Sequence, residues 1–232
     1  DGLLLTLESP YSTAAAKLGQ AMAVDHPAGV VMPDSPPALI TLAALHGGDP
    51  VRARSVIGRA VRVGGVGGEA LFEHRHRLLL AWVKMQDGQL SAAGVDLPPA
   101  DRLHRRDALW AAALRTALAR RGGERAAAQK QWYAAMEVLA EYAVDLFSLL
   151  PLGELWMAAA RMGQQDRLAP MLENAFAILG ELGDPPTWSV PLHWAGVHAG
   201  ILANDPAAVA PQGQALAAAA AQSPFARALA GA

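Results

Sequence analysis

Trp194 and His198 stand four residues apart in a stretch that carries almost no charge, so a helix there puts both rings on one face. His193, one residue before Trp194, points elsewhere on the same helix. After Asp184 the only charged residues in the last 48 are Asp205 and Arg227. Imidazole donors beside an aromatic face can hold a neutral polar molecule such as a sugar. The other reading is a helix buried against a neighbouring domain or a dimer mate, where charge is excluded because its desolvation is costly. Both readings are open at the level of sequence.

Other residue sets that could do chemistry are poorer. His74 and His76 form an H-x-H pair in EHRHR, but positions i and i+2 of a helix lie about 200° apart and cannot share one metal. Solvated or groove-facing histidines fit that spacing better. The glycine-rich run RVGGVGGEA, residues 62–70, lacks a phosphate-binding lysine and a preceding strand, so it reads as a link between helices. HRRD at 104–107 echoes a kinase loop without the other kinase parts. With no cysteine, disulfides, thiolate nucleophiles and cysteine zinc sites are all absent. No catalytic residues and no cofactor are expected; the chain reads as non-enzymatic.

The elements that would position these side chains are helices. Hydrophobic residues make up 53% of the 232, much of that alanine, the strongest helix former. Periodicity and Gly, Pro and Asp punctuation predict helices at roughly 12–24, 37–46, 50–63, 69–86, 100–121, 124–143, 148–162, 165–182, 189–203 and 206–221, with a short tail near 224–230. No alternating strand is evident. No apolar run reaches the length of about 18 residues needed for a membrane span. The net charge of −2 gives no global field for phosphate backbones. Arg102, Arg105, Arg106, Arg115, Arg120, Arg121 and Arg125 make one basic region, read as a solvated face or an interdomain contact and not a nucleic-acid surface.

Five turns then align. ALHGGDPVRA (44–53) matches KMQDGQLSAA (84–93), ARRGGERAAA (119–128), ARMGQQDRLA (160–169) and ILANDPAAVA (201–210). Gly or Asn falls where each helix must end. Asp49, Glu124, Asp166 and Asp205 fall where the next begins, with Pro50 and Pro206 in the first turn. The last column is alanine throughout: Ala53, Ala93, Ala128, Ala169 and Ala210. A helix–turn–helix unit repeating every 35–41 residues predicts an all-α, tetratricopeptide-like right-handed solenoid of about five hairpins over 1–232, with 1–35 less regular. Trp132, Met136, Leu139 and Ala143 form a predicted core stripe, as do Trp110, Leu114 and Ala117. Trp82, Trp110, Trp156 and Trp194 all fall on the first helix of a hairpin. First helices line the concave side of such a repeat, so Trp82, His74, Trp110, Trp156, Trp194, His198 and His193 are the candidate groove residues.

The phrases LITLAALHGGDPVRARSVIGRAV (39–61), LWMAAARMGQQDRLAPMLENAFAILGELG (155–183) and LHWAGVHAGILANDPAAVA (192–210) resemble the tetratricopeptide-like region of the large ATP-binding LuxR-type, MalT-like transcriptional regulators. The resemblance covers most of the chain from about residue 36. It implies a cytoplasmic sensor or interaction segment excised from a longer regulator, whose partners are a small-molecule effector and flanking ATPase and DNA-binding domains. No phosphate-binding G-x-x-x-x-G-K-[ST] loop and no basic recognition helix occurs in this sequence, so the chain itself is expected to bind neither ATP nor nucleic acid. Oligomerisation is left open.

Overall fold

Five of the turns between paired helices rest on a residue in the left-handed conformation. In the computed structural model, which describes residues 2–22, 34–63, 72–99 and 103–231, positive φ occurs at Gly48 (72°), Gly88 (78°), Gly123 (77°), Gly163 (65°) and Asn204 (55°). The residue after each returns its N–H to the carbonyl five positions back: Asp49 to Ala44, Gln89 to Lys84, Glu124 to Ala119, Gln164 to Ala159 and Asp205 to Gly200, at 2.8–2.9 Å. This is the Schellman closure, which satisfies carbonyls left over at a helix end and reverses the chain.

The described residues are all-helical, without strands. The helices are α1 (Gly2–Glu8), α2 (Tyr11–Ala21), α3 (Pro36–His46), α4 (Pro50–Val63), α5 (Glu73–Gln86), α6 (Leu90–Val95), α7 (Arg105–Arg121), α8 (Arg125–Ala140), α9 (Leu149–Met162), α10 (Gln165–Glu181), α11 (Pro186–Ala203), α12 (Pro206–Ala219) and α13 (Pro224–Ala230). Two of them, α1 and α6, do not appear among the predicted segments. Both are under eight residues, and α6 ends just before the Leu97-Pro98-Pro99 run, too short for helical periodicity to register. The glycine-rich stretch from 64 to 70 lies outside the described residues, as do Asp101 and Arg102.

Contacts divide the chain into two compact units, Asp1–Leu97 and Pro98–Ala232. In the first, α3 packs on α4 and α5, α5 on α6, and α2 on α3. The Tyr11 ring lies so close over Gly47 that a Cβ there would sit 2.3 Å from it. The Tyr11 hydroxyl donates to Asp49 Oδ2 at 3.3 Å while Asp49 Oδ1 caps α4 through the N–H of Arg52 at 3.0 Å. Behind α3 and α5 is a buried polar knot. Ser35 caps α3 through the N–H of Ala38 and joins His76 Nε2 at 2.7 Å, and Arg75 pairs with Asp34 at 3.6 Å.

In the second unit α7, α9 and α11 pack on one another in order, and each also holds its own partner, α8, α10 or α12. A helix covered on several sides must be apolar nearly all round. That is why Leu149, Leu150, Leu152, Leu155, Ala158, Ala159 and Ala160 of α9 are all buried, whereas α10 buries a single stripe, Leu168, Leu172, Ala175 and Leu179. Small residues set the closest approaches. A Cβ on Gly153 would come 2.9 Å from that of Ala195, and one on Gly200 would come 2.5 Å from Val209.

Two predicted packing patterns shift. Counting from the left-handed residue, the equivalent column in the second helices is Ala53, Ala93, Ala128, Leu168 and Val209. Ala169 is half-buried and Ala210 exposed, because the last two turns place that residue one position earlier in their segments. The core stripe of α8 is Ala128, Trp132, Ala135 and Leu139. Ala143 lies beyond the helix end and is exposed, and Met136 is half-buried. Leu114 and Ala117 are fully buried beside Trp110, as their stripe requires.

Two measurements follow. Gly163→Ala places a side chain at φ 65° and lowers stability by about 1 kcal/mol. Gly180→Ala, inside α10 with nothing within 4 Å of the added Cβ, raises it by roughly 0.5–1 kcal/mol. Equal effects of the two in urea unfolding would contradict the closure. Burial, with Arg75 adding to it, lowers the His76 pKa from 6.5 to about 4. The unfolded chain therefore takes up a proton near 6.5 that the folded chain refuses. This stabilisation is complete above about pH 6.5 and disappears as pH falls toward 4, each unit of depression being worth about 1.4 kcal/mol. His76→Gln flattens the pH dependence of the melting midpoint in that window.

Candidate functional site

The seven sequence-predicted residues separate into two core tryptophans, a lone His74 and two pairs. Trp82 and Trp110 are core residues, 2% and 0% exposed, and neither can face a groove. First helices are covered by other helices on several sides, so a large ring there is enclosed and not displayed. The Trp110 indole donates to the Phe147 carbonyl at 3.0 Å. Phe147 lies in a 3-10 turn, Leu146–Ser148, leading into α9. Its ring takes the Trp188 edge at 6.1 Å and the Arg106 guanidinium over its face at 4.6 Å. His74 is half-buried on α5, its Nδ1 without a hydrogen-bond partner among the described residues, while His76 is turned into the Ser35 knot. The H-x-H pair is thus split between two environments.

Trp194 and His198 do share a face, with ring centroids 4.5 Å apart, edge to face. The face is largely covered from within. Trp194 packs against the cluster of Val190, Leu216 and Ala226 with Val197, Phe225 and Leu229, so α12 and α13 supply the apolar cover. This packing accounts for the absence of charge on the inward face only; the exposed residues of α12, among them Ala207, Ala210, Ala217 and Ala218, are uncharged as well. His198 is half-buried, and burial first, then Arg120, lower its pKa from the ordinary imidazole value.

Trp156 and His193 meet through a residue the sequence reading passed over. Phe176 of α10 takes the Trp156 edge at 6.0 Å and stacks on His193 at 5.4 Å. His193 Nδ1 is fixed by Gln212 Oε1 of α12 at 2.8 Å. The Trp156 ring fits over Gly196, where a Cβ would come within 2.6 Å of it. Four consecutive helices, α9 to α12, therefore each place one member of this aromatic–imidazole row. Beside it opens a cleft of about 520 Å³ lined by Trp156, Phe176, Leu172, Gln165, Asp166 and Glu173. Asp166, Ala169, Leu172, Glu173 and Phe176 fall at helical spacing on one face of α10. That periodicity was the signal available for Phe176; nothing in the sequence pointed to Gln212 or Gly196.

The arginines of the basic region are mostly braces. Arg105 donates to the Glu141 carbonyl, Arg106 to Asp145, and Arg115 to the Pro98 carbonyl. Arg120 and Arg121 hold the two oxygens of Glu154 at 2.6 and 2.5 Å, and that carboxylate is only 5% exposed. Two guanidiniums on one buried carboxylate keep the charge solvated by the protein itself. Among the described residues no three His, Asp or Glu side chains gather as metal ligands.

Comparison with known proteins yields no matching family model, no matching curated protein and no matching solved structure.

Glu154→Ala removes the buried carboxylate shared by Arg120 and Arg121, leaving the mostly buried Arg120 guanidinium unpaired, and costs about 3 kcal/mol in urea unfolding. A loss under about 1 kcal/mol would show that the clamp is solvated and not structural.

Proposed function

We propose that this chain is the sensing segment of a larger LuxR-type, MalT-like transcriptional regulator, non-enzymatic in itself, taking a small neutral polyhydroxylated molecule such as a sugar. The observation that carries the reading is the cleft where the Trp156 and Phe176 rings border Gln165, Asp166 and Glu173. A sugar presents apolar C–H faces and a rim of hydroxyls. Aromatic rings accept the first, and carboxylates and amides accept and donate to the second. A volume of about 520 Å³ suits a ligand of that size. The mechanism is a population shift. A ligand touching both α9 and α10 favours one packing of that pair over another, and flanking domains respond to the difference.

The second reading is a protein–protein interaction scaffold that accepts a helix or peptide. It is favoured by another cleft of about 520 Å³ along α8 and α10, lined by Tyr133, Met136, Leu139 and Met171 with Glu137 and Arg167 at its rim. Methionine-rich apolar grooves with a charged rim suit an amphipathic helix.

A panel of mono- and disaccharides titrated against tryptophan fluorescence and melting midpoint separates the two. At least one sugar shifts both signals, and Trp156→Ala and Asp166→Asn each weaken the response at least tenfold. If no sugar perturbs either signal while an amphipathic peptide does, the scaffold reading replaces the sensor.

A further inference from the structure

On the side of α9 away from Trp156, a third cleft, of about 390 Å³, is lined by Arg120, Arg125 and Arg161, with Ala128, Ala158 and Met162 as its apolar floor and Gly123 at its edge. Among the described residues no acidic side chain lines it. The three guanidiniums come from the end of α7, the start of α8 and the last turn of α9, so the Gly123 turn and the α7–α9 packing bring them together. Their charges are not balanced locally. Arg120 spends one nitrogen on Glu154, which Arg121 shares, and its Nε is buried without a hydrogen-bond partner. Arg125 and Arg161 have no ion-pair partner among the described residues. Glu124, the neighbour of Arg125 in sequence, lies toward Gly122, with an oxygen 3.8 Å from where a Cβ would stand there.

Guanidinium groups converging on a space of this size match the fork geometry of an oxyanion, which takes paired N–H bonds from each. Arg125 and Arg161 are exposed and free to swing toward an anion, while Arg120 is held in place by Glu154, and the apolar floor limits how much water competes for the bound group. We propose that this cleft is an oxyanion site, taking the phosphate or carboxylate group of a small molecule. It is distinct from the aromatic cleft and stands whether or not that one binds a sugar.

The test uses the whole 232-residue chain in a chloride buffer of fixed ionic strength, with inorganic phosphate and succinate as the two probes. Phosphate or succinate at tenfold its dissociation constant raises the melting midpoint by about 3 °C. Whichever of the two acts names the source of the oxyanion. The double variant Arg125→Gln, Arg161→Gln, whose altered side chains brace nothing else, melts as the parent does without anion and loses the shift. Trp156→Ala keeps it. The site is refuted if neither probe exceeds the effect of added chloride, or if the double variant responds like the parent.

Discussion

A single backbone geometry recurs through the described residues: a helix that ends on a left-handed residue and closes with a hydrogen bond five residues back. Four of the five positions are glycine, and the fifth is asparagine, which tolerates the same conformation. Once the chain reverses there, the next helix must run back along the one before it, and each first helix acquires a covering partner. The steps between the left-handed residues, at 48, 88, 123, 163 and 204, are 40, 35, 40 and 41. Units of nearly constant length give nearly constant packing problems, solved each time by a small or medium side chain at the fourth residue of the second helix.

That covering decides what the aromatic residues can do. A tryptophan on α5, α7 or the start of α11 is covered by neighbouring elements, and Trp82, Trp110 and Trp188 are enclosed accordingly. Trp156 escapes because Gly196 leaves its ring a slot, bringing it to the edge of α10 beside Phe176 and His193. One missing Cβ on α11 thus separates a core ring from one at a cleft. Charge follows the same logic. The arginines near α7 are drawn to carbonyls and carboxylates left by turns, and the buried Glu154 draws two of them.

The two sides of α9 have opposite characters. Toward α10 and α11 it meets aromatic faces, an imidazole held by an amide, and carboxylates at the rim, a surface fit for hydroxyl-rich neutral molecules. Toward α7 and α8 it meets guanidiniums over small apolar residues, a surface fit for oxyanions. One helix presents both sides, so the two proposed sites share the packing contacts of α9.

Local chemistry made much of the fold legible. Glycine, asparagine, aspartate and proline act within a few residues, so the turns at Gly48, Gly123 and Asn204 and the caps at Asp49 and Asp205 could be read from the chain alone. Alanine content and helical period placed the longer helices, and the four-residue spacing of Trp194 and His198 already put them on one face. Tertiary structure decided the rest, because exposure is a property of what lies opposite and period cannot supply that. Only packing sent Trp82 and Trp110 to the core, covered Trp194 with α12 and α13, and joined Trp156 to His193 through Phe176, a residue from a third helix. The same holds for Arg120, Arg125 and Arg161, whose meeting depends on where three helix ends converge in space.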